Sequence, residues 1–200
     1  MEALHAFESN MLGTLGPDKY NKLWKGEASF LDQAVRTALQ YFKDALKYVN
    51  SNHASLTWQD AVRLVYDGKA FCNIMGDWAE GYLKTLGWKP GVDFGWFAVP
   101  GTQNSFMLIS DTFGLPKGAP NRDNAILWLK FLASVEAQDI FNPIKGSIPA
   151  RIDADKSKYD DYLKWSMNDF STKAICQSII HGSAASEAFA TALTDAIACS

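Results

Sequence analysis

The chain has 200 residues, 48% of them hydrophobic and 20% charged, with a formal net charge of -3 and a pI near 5.6. That composition describes an ordinary globular chain with ample material for a core, in one large domain or two small ones. The acidic balance and the scatter of Lys117, Arg122 and Lys130 argue against a nucleic-acid or anionic-membrane surface.

Residues 2–15 predict a helix, followed after Pro17 by a short one over 18–24. A long amphipathic helix is predicted over 32–49, where Ala34, Ala38, Tyr41, Phe42, Ala45, Leu46 and Val49 recur at helical spacing and Asp32 stands at the start. Thr57 caps the next helix, 58–66, which Asp67-Gly68 ends. Strands are expected at 70–75, 93–99, 105–110 and 112–115, with a helix over 78–86 between the first two. The turn sequences Lys89-Pro90-Gly91, Pro100-Gly101 and Pro116-Lys117-Gly118 separate them. Asn121 is expected to cap a helix over 122–132, and Pro143 to stop another over 135–141. A turn-rich loop over 142–151, a helix over 159–169, an apolar stretch over 174–180 and a final helix from Ser186 complete the pattern. The alternation of helices and strands favours α/β layering.

The ends of the chain and its cysteines add little. No apolar run approaches the ~20 residues of a membrane-spanning helix, and Met1-Glu2-Ala3-Leu4-His5 has neither the basic start nor the apolar stretch of a signal peptide. Cys72, Cys176 and Cys199 show no metal-ligand spacing, and nothing supports a Cys176–Cys199 bridge. Within the apolar run 71–75, Cys72 reads as a small buried hydrophobe.

Chemistry gathers at element ends: Trp58 opening a helix, Asp77 and Trp78 after an expected strand, Asp111 after another, Lys145 in the loop and His181 after Ile179-Ile180. Each has a bland reading beside the functional one. Asp77 suits an N-cap and Trp78 a core edge, Asp111 can fix a turn, and His181-Gly182 can end an element. Taken together, the residue types fit a neutral polyhydroxylated ring, whose C–H faces pack on indoles and whose hydroxyls want carboxylate, ammonium and imidazole partners. Asp77 with Asp111 is the single carboxylate pair that tempts a glycoside-processing reading. Nucleophile-elbow, phosphate-loop, dinucleotide and zinc-protease motifs are absent from the sequence.

Three motifs carry a resemblance: Ala70-Phe71-Cys72-Asn73-Ile74-Met75-Gly76-Asp77-Trp78-Ala79, Ser110-Asp111-Thr112-Phe113-Gly114-Leu115-Pro116-Lys117-Gly118-Ala119, and the segment 141–151. In this order and spacing they resemble the carbohydrate ABC-importer solute-binding proteins of type II periplasmic-binding fold, an α/β class, and within it the glucose/mannose-binding branch. The resemblance implies a two-lobed receptor, periplasmic or extracellular, that clamps one monosaccharide between its lobes and hands it to a membrane permease. It implies a binding site and no catalysis, and no cofactor. Carried over by motif, Trp58 and Trp78 are the aromatic sugar contacts; Asp111, Lys145 and His181 are the polar ones; and Asp77 stays a helix cap. The match covers the C-terminal half of such a receptor. Residues 1–101 and 146–200 are then expected in the C-terminal lobe, and 102–145 cross to an N-terminal lobe that the chain mostly lacks. Trp128 and its neighbours would normally pack against that lobe.

Overall fold

In the computed structural model, residues 2–180 and 184–198 are described. In chain order the elements are α1 (Glu2–Trp24), α2 (Gln33–Ala45), α3 (Trp58–Tyr66), α4 (Trp78–Thr85), β1 (Ser105–Leu108), α5 (Arg122–Leu132), α6 (Val135–Lys145), α7 (Asp161–Thr172), β2 (Ala174–Gln177) and α8 (Glu187–Ala198). They form two compact units. The first gathers Met1–Gly76, Trp96–Ile109 and Asp169–Ser200, and the second Asp77–Gly95 and Ser110–Asn168.

The first unit is built on the apolar stripe of α1. Leu4, Phe7, Met11 and Leu12, then Tyr20 and Leu23 beyond a break at Gly16 (φ 73°), are all buried. The i, i+3, i+7 residues Val35, Ala38 and Phe42 of α2 pack against them, with the Phe7 and Phe42 rings edge to face at 5.5 Å. Asp32 caps α2 through the Ala34 N–H (2.8 Å), and Thr57 and Asp60 form a reciprocal capping box at the head of α3. β1 and β2 pair in parallel from Ser105–Ala174 to Leu108–Gln177. Cys176, Ile179 and Ile180 enter the core from the β2 side. Burial pushes the Cys176 thiol up to about 11, so it is a packed, unreactive group.

One buried carboxyl ties this core together. Glu8, 1% exposed, accepts the Ser178 hydroxyl at 2.8 Å, the Ile179 N–H at 3.0 Å and the Tyr20 hydroxyl at 3.4 Å, and His5 Nδ1 lies 3.5 Å away.

In the second unit Leu83, Ala137, Tyr159 and Leu163 are buried. The Tyr159 hydroxyl donates to Asp139 (3.1 Å), which also accepts the Asp155 N–H (3.1 Å), so the loop before α7 is pinned to α6. α4 crosses α6 at glycines. A methyl added to Gly81 would fall on the Lys145 carbonyl, and one added to Gly146 would meet the Gly81 nitrogen, the Asp77 carbonyl oxygen and Glu80 Oε2 at 2.6–2.7 Å.

Several sequence expectations are corrected. Residues 70–75 form no strand: Phe71 is 94% exposed and Cys72 is exposed rather than buried. Residues 93–99 carry just an isolated bridge between Pro90 and Phe94, and 112–115 carry no ladder. A strand needs a neighbour to take its N–H and C=O groups, and among the described residues β1 and β2 form the single ladder. α6 runs through Pro143 to Lys145, because a proline this close to a helix end removes one backbone bond while Gly146 and Ser147 N–H close the turn on the Asn142 carbonyl. Asn121 makes no side-chain cap.

Candidate functional site

The stretch Met75-Gly76-Asp77-Trp78 leads into the first turn of α4, where the sequence places a cap. The structure uses Asp77 otherwise. Its backbone is already helical (φ -53°, ψ -29°) and its side chain caps nothing. Instead Asp77 Oδ1 accepts the Tyr162 hydroxyl at 2.7 Å and Oδ2 the Ser166 hydroxyl at 3.3 Å. Tyr162 and Ser166 stand four apart on α7 and so share a face. Burial pushes the Asp77 carboxyl above the usual carboxylate range, against the opposing pull of Tyr162, Ser166 and the Lys145 ammonium. Both oxygens of Asp77 are thus engaged by α7 hydroxyls within its own unit.

Trp78, half-buried, is the first residue of α4, and Lys145 is the last of α6 before the left-handed Gly146 (φ 81°). Lys145 Nζ reaches Asp111 Oδ2 at 2.7 Å. Two of the expected polar contacts are thus brought together. Their side chains keep 31% and 66% of their surface, and an ion pair so exposed is worth about 0–1 kcal/mol. Opening it toward a hydroxylated ligand costs correspondingly little. Trp58, also half-buried, opens α3 in the first unit. His181 lies outside the described residues.

The same unit holds a cluster of ionisable groups that sequence reasoning missed. Lys84 Nζ lies 2.9 Å from Glu80 Oε1, 2.8 Å from Asp160 Oδ2 and 2.6 Å from the Pro143 carbonyl oxygen. Glu80 is 4% exposed, and burial pushes its carboxyl up to about 7. The one sequence signal was an acid three residues after Asp77, on the inner face of a short helix. The sign of the linkage follows. A carboxyl whose folded value lies above its ordinary 4.5 contributes stability that is complete below that value and lost as pH rises through about 7. The urea midpoint is therefore expected to fall between pH 5 and 8, and Glu80→Gln to flatten that fall near neutrality. A slope unchanged in Glu80→Gln refutes the assignment.

A groove of about 390 Å³ is lined by Phe113, Trp128, Phe131, Leu132, Ala137, Ile140, Phe141, Ile144 and Lys145. Apart from Lys145 it offers a sugar's hydroxyls no partner, so it is not the polar site. Trp128 is 57% exposed on α5. Among the described residues, no helix is long and apolar enough to cross a membrane, and no three His, Cys, Asp or Glu side chains are grouped to hold a metal.

Comparison with known proteins places the chain. A family model described as bacterial extracellular solute-binding protein matches residues 2–139. Over 197 residues the chain is 44% identical to an uncharacterized ABC transporter extracellular-binding protein of Pyrococcus horikoshii, covering 98% of this chain and 44% of that protein. It is 32% identical over 156 residues to a xylose/arabinose-binding protein of Haloferax volcanii (74% and 34%) and 24% over 159 to a glucose-binding protein of Saccharolobus solfataricus (72% and 28%). The chain spans less than half the length of these curated relatives. With the family model matching well over half of its residues, the chain belongs to the bacterial extracellular solute-binding protein family.

Proposed function

We propose that this chain contributes the sugar-contacting part of the binding component of an ABC importer, working outside the cytoplasm and passing a monosaccharide to a membrane permease. The observation that carries the reading is the Lys145–Asp111 pair in the same unit as Trp78. It sets an ammonium and a carboxylate side by side for adjacent hydroxyls. Trp58 and Trp78 act as stacking platforms, and Asp111, Lys145 and His181 as hydroxyl partners. The relatives that bind xylose/arabinose and glucose support a monosaccharide, with glucose the member to try first. Binding rather than catalysis fits a family of transporter receptors.

In the same reading the lobes of the intact receptor close on the ligand. A sugar held by this chain alone is contacted on one side and binds weakly. Titration with glucose and with xylose, followed by NMR, is expected to give millimolar affinity and release of nothing from aryl glycosides. Trp58→Ala and Trp78→Ala should each weaken binding about tenfold, the order of 1.4 kcal/mol. Binding unaffected by either substitution contradicts the stacking roles, and a micromolar isotherm contradicts the one-sided contact.

A further inference from the structure

Asp77 is a part-buried carboxyl whose two oxygens are both taken up by hydroxyls of α7. Sequestering a carboxyl is costly, and a well-packed apolar side chain of similar volume is often as stable, so its placement calls for a geometric reason. The geometry around it supplies one. Asp77 is held at three points: its carboxyl by Tyr162 and Ser166 of α7, its carbonyl by the Glu80 N–H in the first turn of α4, and the same carbonyl against the Gly146 turn that ends α6. The residue after it is Trp78, and the residue before Gly146 is Lys145.

We infer that Asp77 is a positioning residue: with Tyr162 and Ser166 as its anchors, it fixes the Trp78 indole and the Lys145 ammonium in one frame for the sugar. The inference rests on the reading of Trp78 and Lys145 as sugar contacts. It differs from a cap, which would steady α4 alone. An Asp77 strut couples the start of α4, the end of α6 and the Tyr162–Ser166 face of α7, so removing a hydroxyl on α7 alters a tryptophan that the hydroxyl does not precede in sequence.

The test uses the full chain labelled with 5-fluorotryptophan, its Trp78 resonance identified by Trp78→Phe, and titrated with glucose. Tyr162→Phe is expected to shift or broaden the Trp78 resonance before any sugar is added and to weaken glucose binding about fivefold. Ser166→Ala should do the same to a smaller extent. Asp77→Asn, whose amide oxygen still accepts from Tyr162, should keep both the resonance and the affinity within about twofold, whereas Asp77→Leu loses both. If Asp77→Leu fails to fold, Tyr162→Phe decides. An unmoved resonance in Tyr162→Phe, or a moved one with undiminished affinity, overturns the strut while Trp78→Phe still binds poorly. Full affinity in Trp78→Phe and Lys145→Ala instead marks failure of the sugar reading, and the inference falls with it.

Discussion

Gly146→Val is expected to cost the second unit about 3–5 kcal/mol, the sum of a left-handed backbone no β-branched residue accepts and a side chain driven into backbone. The two terms can be separated within the same protein. Gly118 has nearly the same conformation (φ 82°) but open space where its Cβ would be, while at Gly146 (φ 81°) that Cβ meets the Gly81 nitrogen, the Asp77 carbonyl oxygen and the Glu80 carboxyl. Gly118→Ala thus reports the backbone term, about 1–2 kcal/mol, and Gly146→Ala the backbone term plus the clash. Against a typical total stability of about 5–15 kcal/mol, the valine leaves little margin. Urea denaturation of the four proteins checks this, and equal losses at Gly118 and Gly146 would show that the α4–α6 crossing tolerates a methyl group.

A loss of similar size is expected from Glu8→Ala. Removing this carboxyl strands the Ser178 hydroxyl, the Ile179 N–H and the Tyr20 hydroxyl in a core from which water is excluded. Each buried donor left without its acceptor typically costs about 1–3 kcal/mol, so three such donors put the loss at about 3–5 kcal/mol after partial relaxation. Glu8→Gln keeps an acceptor and should lose about 1 kcal/mol. A double-mutant cycle with Ser178→Ala should show coupling of about 1–3 kcal/mol, since Ser178 donates to Glu8 and also accepts the Ile180 N–H at 3.0 Å. A Glu8→Ala protein within 1 kcal/mol of the parent would show that the core accommodates these donors without it.

What the sequence disclosed divides by the range of the interactions. Helices were legible because their signals are local: Asp32 with Ala34, and Thr57 with Asp60 three residues on, form the caps that their spacing predicts. The parallel pair was half legible. The run at 105–108 read as a strand, but its partner at 174–177 read merely as an apolar stretch, since nothing near either segment names the other. The runs at 70–75 and 93–99 had strand composition and no ladder to join. Asp77 shows the same limit in one residue. A carboxylate before a helix is a cap by local rules, and those rules were overridden by Tyr162 and Ser166, which lie 85 and 89 residues away. The Lys145–Asp111 contact was not legible, nor was the Glu80–Lys84–Asp160 cluster, whose members come from α4 and the turn before α7.

The contact between Glu8 and Ser178 also sets a schedule for synthesis. The two residues are 170 apart, so at roughly 5–20 residues per second a ribosome leaves the α1 carboxyl waiting about 9–34 s for Ser178. Throughout that interval Leu4, Phe7, Met11 and Leu12 have α2 to pack on but not Cys176, Ile179 or Ile180. Until those three residues arrive, the α1–α2 pair holds part of its apolar stripe uncovered, so this core waits on a segment distant from it in sequence.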